Sequence, residues 1–234
     1  MKSAKLKAIE EGDNVTQIKA VVFDMDGVLI DSEQYYQDRL MAYFRAMEVD
    51  LPPQRLNLLV GANGKMNLWP KILEGITLPQ PYDEFMVGLR EYRHAQGIED
   101  YRPLLFPGVE ETLKQLKARG KKLALASSSS FASIEKMLSD TGVYAYFELV
   151  TSGGMFKESK PNPEIYLFTA KKLKLDPHQC LVVEDSQYGI QAGVSAGMTV
   201  IARQDERFPM DQSQAHYFVK QLQEVPAIVD QLER

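Results

Sequence analysis

Asp24 and Asp26 stand two residues apart, directly after the apolar run Lys19-Ala20-Val21-Val22-Phe23. In an extended segment that spacing turns both side chains the same way. One carboxylate can then attack while the other handles protons. Glu184 and Asp185 come after a second such run, Cys180-Leu181-Val182-Val183, and Ser127 after a third, Lys122-Leu123-Ala124-Leu125-Ala126. Lys160 opens Lys160-Pro161-Asn162-Pro163. The four carboxylates make an all-oxygen set without a His or Cys partner, which favours a hard cation such as Mg²⁺. The cation would reduce repulsion between an anionic nucleophile and an anionic substrate. Lys160 would add a second positive charge, and Ser127, beside backbone N–H groups at a helix start, would hold phosphoryl oxygens. Each residue alone has a plain structural reading: a turn, a helix cap, a solvated charge. Their joint occurrence after strands argues for phosphoryl transfer.

The elements that must position them are set by periodicity. The apolar runs above read as buried strands, as do Thr199-Val200-Ile201-Ala202 and, more weakly, Phe147-Glu148-Leu149-Val150-Thr151. Helical patterns separate them: Gly108–Arg119, Phe131–Asp140, Pro163–Leu173 and Tyr188–Ala196. Alternation of this kind predicts an α/β fold, a doubly wound parallel sheet with helices on both faces. Ligands of such sheets bind at the carboxyl ends of the strands, where the polar residues stand. Tyr217-Phe218-Val219 fits a small edge strand and Val225–Leu232 a last helix. Between residues 32 and 105 no strand is evident. Ser32 is expected to cap a helix to Met47, and further helices fit Pro53–Leu59, Lys65–Leu73 and Tyr82–His94. The expected division is a polar leader over 1–17, an α/β core over 18–31 and 106–234, and a helical cap inserted over 32–105.

Composition narrows the classes. The 234 residues are 44% hydrophobic and 25% charged, ordinary for a folded chain. No apolar run approaches the ~20 residues of a membrane helix. The net charge of −5 argues against non-specific nucleic-acid or anionic-membrane binding. The single cysteine, Cys180, excludes an internal disulfide and reads as a buried strand residue. The N-terminal stretch lacks the apolar region and cleavage site of a secretory signal, so the cytoplasm is the expected compartment.

Taken together, the motifs resemble those of the haloacid-dehalogenase-like superfamily, in the branch with a helical cap after the first motif. They are Asp24-Met25-Asp26-Gly27-Val28-Leu29-Ile30-Asp31-Ser32, Leu125-Ala126-Ser127, Lys160-Pro161-Asn162-Pro163-Glu164-Ile165-Tyr166, and Val183-Glu184-Asp185-Ser186 with Gly189-Ile190-Gln191-Ala192-Gly193. The resemblance spans residues from about 18 to 220. It implies that Asp24 is the nucleophile that becomes an aspartyl phosphate and that Asp26 is the general acid and base. It implies Mg²⁺ as cofactor, held by the Asp24 and Asp185 side chains and the Asp26 backbone carbonyl, with Glu184 a ligand or a base for a bound water. Gly27, Ser127, Ser128, Lys160 and, from the cap, Lys65 are implied around the phosphate.

Within that branch the sequence is most similar to β-phosphoglucomutase-like proteins and small sugar-phosphate phosphatases. Mutases of this kind carry a histidine just after the first motif, where this chain has Glu33-Gln34-Tyr35-Tyr36-Gln37. They also carry an arginine in the first cap loop, where Gly61-Ala62-Asn63-Gly64-Lys65 offers a lysine, a less directional phosphate ligand. Hydrolysis of a small phosphate ester is therefore expected ahead of a mutase reaction. Arg90, Arg93, His94 and Lys65 are candidates for reading substrate charge, and Trp69 is expected to pack in a core. The expected partner is a small phosphorylated metabolite, with no nucleic acid, no membrane, and a monomer or weak homodimer as the assembly. A phosphate-binding or phospho-receiver scaffold is the non-enzymatic alternative.

Overall fold

The computed structural model describes residues 17–60, 67–95 and 97–234, without the His94 side chain. The expected leader, except Gln17 at its end, and Lys65 therefore lie outside the described residues. Six parallel strands form one sheet: β1 (Ala20–Phe23), β2 (Lys122–Ser127), β3 (Leu149–Ser152), β4 (Cys180–Glu184), β5 (Thr199–Arg203) and β6 (Tyr217–Val219), in the order β3-β2-β1-β4-β5-β6. The chain first winds away from β1 on one side and then returns to the other. The reversal between β1 and β4 is where such sheets open a ligand crevice.

β1 shows why the sheet is buried on both faces. Its side chains alternate, Val21 and Phe23 into one apolar cluster and Ala20 and Val22 into the other. The first cluster is covered by α4 (Val109–Ala118), α5 (Phe131–Thr141) and α8 (Val225–Leu232), and the second by α6 (Glu164–Leu173) and α7 (Gln187–Ser195). The α/β class and all expected strands are present, Tyr217–Val219 included. β3 begins two residues later than expected, at Leu149, because Tyr144–Tyr146 forms a 3-10 turn that delivers the chain to the sheet.

The stretch from residue 32 onward is helical, as expected: α1 (Ser32–Ala46), α2 (Trp69–Ile72) and α3 (Tyr82–Ala95). Leu40, Phe44, Leu56, Ile72, Phe85 and Leu89 form a third apolar cluster of their own. Trp69 packs there against Phe44, ring centroids 6.3 Å apart, as expected. Three local expectations need correction. Pro53–Leu59 is a 3-10 helix, not an α-helix. The Lys65–Leu73 helix reduces, among the described residues, to one turn at Trp69–Ile72. Ser32 does not cap α1: Asp31 holds the N-cap position, and the Ser32 hydroxyl is drawn to Asp26 instead. Where the chain leaves for this helical region and where it returns, the two segments pair. Asp31 N–H donates to Leu104 O at 2.7 Å, and Phe106 N–H donates to Leu29 O at 2.9 Å.

Candidate active site

Asp24 comes directly after β1, and Met25 buries its side chain completely in the core. That leaves Asp24 and Asp26 to face one cavity of about 840 Å³ between the sheet edge and the helical region. The cavity is also lined by Ser127, Ser128, Ser129, Lys160, Glu184 and Asp185, so the residues expected from four separate segments meet in one place.

Lys160 is 3% exposed and binds the centre together. Its ammonium donates to Asp24 Oδ1 at 2.6 Å, to Glu184 Oε1 at 2.7 Å and to Ala126 O at 3.0 Å. Burial disfavours the charged form, but the Asp24 and Glu184 carboxylates outweigh it and hold Lys160 well above its ordinary pKa. Glu184 takes five hydrogen bonds. Oε1 accepts from Lys160 and Tyr166, and Oε2 from the backbone N–H groups of Asp185 and Ser186 and from the Ser186 hydroxyl. Burial pushes Glu184 up, yet Lys160 and these donors prevail and keep it below its usual range. A side chain at Gly189 would collide with Glu184, so glycine there is what lets α7 start against the carboxylate. Spacing alone does not mark Tyr166 or Ser186, although both stand inside the motifs.

Asp24, Glu184 and Asp185 bring carboxylate oxygens within 4.8 Å of one another. The donor set is all oxygen and suits a hard cation. Glu184 has both oxygens engaged, so Asp24 and Asp185 are the side chains with ligand capacity to spare. Gly27 adds to the fit: its φ of +74° places it in the left-handed region, and a Cβ there would run into the Asp185 carboxylate. Burial raises Asp24 to about 8, with Lys160 opposing and Glu184 and Asp26 adding to the rise. Asp185 is raised as well, by burial and then by Glu184 and Asp24. Lys160 bonds Asp24 and Glu184, whereas Asp185 is offset only in part by the charge of Arg203, so the acidic trio is short of positive charge.

Asp26 is treated differently. Its carboxylate stays out of that trio and is gripped by two hydroxyls, Ser32 Oγ to Oδ1 at 2.6 Å and Ser129 Oγ to Oδ2 at 2.8 Å. Burial raises its pKa and the two hydroxyls partly offset the rise. Ser129 sits in the Ser127–Ser130 run, but nothing in that run distinguishes it until the fold brings it to Asp26. Ser127 is 1% exposed, and its oxygen accepts from Ser129 N–H at 3.0 Å, which leaves its own O–H to donate. From the helical region, Arg90, Arg93 and Trp69 line the same cavity, as do Tyr36 and Gln37.

A profile of haloacid dehalogenase-like hydrolases matches residues 18–197. The chain belongs to the haloacid dehalogenase-like hydrolase family. This hydrolase is 33% identical over 207 residues to hexitol phosphatase B of Escherichia coli strain K12, covering 82% of this chain and 89% of the relative. It is 33% identical over 184 residues to the phosphorylated carbohydrates phosphatase of Thermotoga maritima, covering 77% and 82%. Among solved structures, β-phosphoglucomutase from Clostridium difficile superimposes with a TM-score of 0.73 at 25% identity, covering 92% of this chain and 97% of that one. The hydrolase is an enzyme of a family with a shared sheet, and its kinship runs to sugar-phosphate chemistry.

Proposed function

We propose that this hydrolase is a phosphatase that cleaves a small phosphate ester of the sugar-phosphate class through an aspartyl phosphate on Asp24. One observation carries the reading. Asp26 lies two residues from Asp24, is kept out of the acidic trio, and is held by Ser32 and Ser129 with its pKa raised. That is what a proton donor to a leaving oxygen needs. Asp24 attacks phosphorus, the bond from phosphorus to the ester oxygen breaks, and Asp26 protonates that oxygen. Asp26 then takes a proton from the water that attacks the aspartyl phosphate, which frees Asp24 and phosphate. Lys160 and the Ser127 hydroxyl hold the phosphoryl oxygens as charge moves. Ser128 and Gly27 flank them.

Mg²⁺ is the cofactor that suits the donor set, and when bound it offsets repulsion between Asp24 and an anionic substrate. Asp24, Asp185 and the Asp26 backbone carbonyl would hold it, with Glu184 orienting Lys160 beside them. Residues 32–105 act as the cap, on a core of 18–31 and 106–234, and Arg90 and Arg93 read the substrate from that side. The similarity to β-phosphoglucomutase favours one second reading, in which a sugar hydroxyl in place of water receives the phosphoryl group. A panel of sugar phosphates decides between them, with phosphate release and isomer conversion measured in parallel, with and without Mg²⁺. Release of phosphate that stops in Asp24→Asn is expected. Conversion without release would transfer the assignment to the mutase.

A further inference from the structure

The end of β5 and the connection to β6 hold the backbone around Asp24, Asp26 and Asp185 through Gly27, Asp31 and the Asp185 carbonyl, and they take no part in the transfer steps themselves. Arg203, the last residue of β5, is 8% exposed. Its guanidinium donates to the Gly27 backbone oxygen at 2.9 Å and lies over the Phe106 ring, 3.7 Å from its centroid. Gly27 belongs to the turn that carries Asp24 and Asp26. Phe106 is where the chain returns from the helical region, and it is paired there to Leu29. Gln212, from the same connection, donates to the backbone oxygens of both Asp185 and Arg203. Arg207 forks Asp31 with two bonds of 2.9 Å, just before α1.

A buried guanidinium costs free energy unless its donors are met. Arg203 meets them with one carbonyl, one aromatic face and, at 3.4 Å, the Asp205 carboxylate. An apolar side chain could cover Phe106 equally well. What the guanidinium adds is a directed donor to Gly27, beside a positive charge near Asp185. That carbonyl matters because Gly27 abuts the Asp185 carboxylate so closely that no Cβ fits between them. A slack turn would shift Asp24 and Asp26 relative to Asp185.

We propose that Arg203 is a positioning residue for phosphoryl transfer, fixing the Gly27 carbonyl so that Asp24 and Asp26 keep their place against Asp185. Its kinetic consequence rests on the phosphatase reading; its effect on cation binding does not. Arg203→Met and Arg203→Lys are compared with the unaltered protein by kcat and KM on p-nitrophenyl phosphate, by Mg²⁺ calorimetry and by thermal unfolding. Arg203→Met is expected to lose about tenfold to a hundredfold in kcat with KM changed less than about twofold, since small misplacements of reacting groups are costly. Its Mg²⁺ dissociation constant should rise several-fold, and Arg203→Lys should recover part of both. Unchanged kcat and Mg²⁺ binding in Arg203→Met would overturn the proposal. So would equal losses in both variants that merely track a lower unfolding midpoint. Should Arg203→Met fail to fold, Arg203→Lys and Gln212→Ala are expected to weaken Mg²⁺ binding, and unaltered binding in both is the refuting result. If the unaltered protein hydrolyses no ester, the phosphatase reading falls and calorimetry alone judges Arg203.

Discussion

Lys160 donates to Asp24 at 2.6 Å in a setting where the lysine is 3% exposed, so each is the other's main counter-charge. Removing Lys160 takes the ammonium from both Asp24 and Glu184, whereas removing Asp24 leaves Lys160 on Glu184. Lys160→Met is expected to cost about 3–5 kcal/mol of stability, the usual result of orphaning a buried charge. It should also lower kcat at least about a hundredfold by removing charge stabilisation in the transition state. Urea unfolding of Lys160→Met, Asp24→Asn and the double variant checks the first point. The double variant should be less unstable than the sum of the singles by about 0.5–3 kcal/mol. Simple additivity would mean that the two charges do not depend on each other.

The raised carboxyls give the protein an unusual pH response. Asp24 goes from an ordinary value of 3.8 to about 8 on burial, so the folded chain binds a proton there more tightly than the unfolded chain. Stability from that group is complete below its unfolded value and drains away as pH rises through the folded one. Asp26 and Asp185 act in the same direction. Glu184, lowered, acts oppositely, but only at pH values below its ordinary range. In chelator, the unfolding midpoint should therefore fall as pH rises from about 5 to about 8, and Mg²⁺ should restore it most at the upper end. Thermal scans across pH with and without the metal test this. A Mg²⁺ effect that shrinks with rising pH would contradict the assignment of these carboxyls.

Arg90 and Arg93 reach the cavity from α3, away from the sheet edge. Substitution of either by Ala should raise KM for a sugar phosphate while leaving turnover of p-nitrophenyl phosphate nearly unchanged. Contacts made equally in ground and transition states appear in KM rather than kcat. Equal losses on both substrates would place these arginines in the chemical step.

Gly27→Ala combines a left-handed φ of +74° with a collision against Asp185. About 1–3 kcal/mol of destabilisation is expected from the backbone alone. The collision should also abolish Mg²⁺ binding, measured by calorimetry on protein shown by circular dichroism to be folded.

The sheet and the meeting of its strand-end residues are legible in the sequence because strands announce themselves as apolar runs, and the residues just after parallel strands land on one edge. Asp24, Ser127, Glu184 and Asp185 can be read in that way. Lys160 is read less directly, from the Pro161-Asn162-Pro163 helix start that it opens, since it stands in a loop eight residues after β3. Ser32 reads as a cap, since a serine before a helix usually is one, and only tertiary contact turns its hydroxyl to Asp26. Ser129 and Arg203 carry no local signal at all; their partners lie far away in the chain. The helical region is the least legible. Proline-punctuated segments such as Pro53–Leu59 settle as 3-10 turns once packed, a choice that local periodicity does not make.

β1 sits in the middle of the sheet, and this has a consequence for how the enzyme comes into being. Its pairing partners begin at Lys122 and at Cys180, so the strand that leads into Asp24 leaves the ribosome long before either neighbour. Ala20–Phe23 must wait, unpaired and wholly apolar, through the synthesis of all the helices between residues 32 and 105 and much of the core. Closing such distant pairings is entropically slow. Asp24 is therefore made early and meets Lys160, Glu184 and Asp185 late. A nascent chain that stops short of the end of β4 carries Asp24 but neither Glu184 nor Asp185, so the acidic trio cannot assemble until that strand has been made.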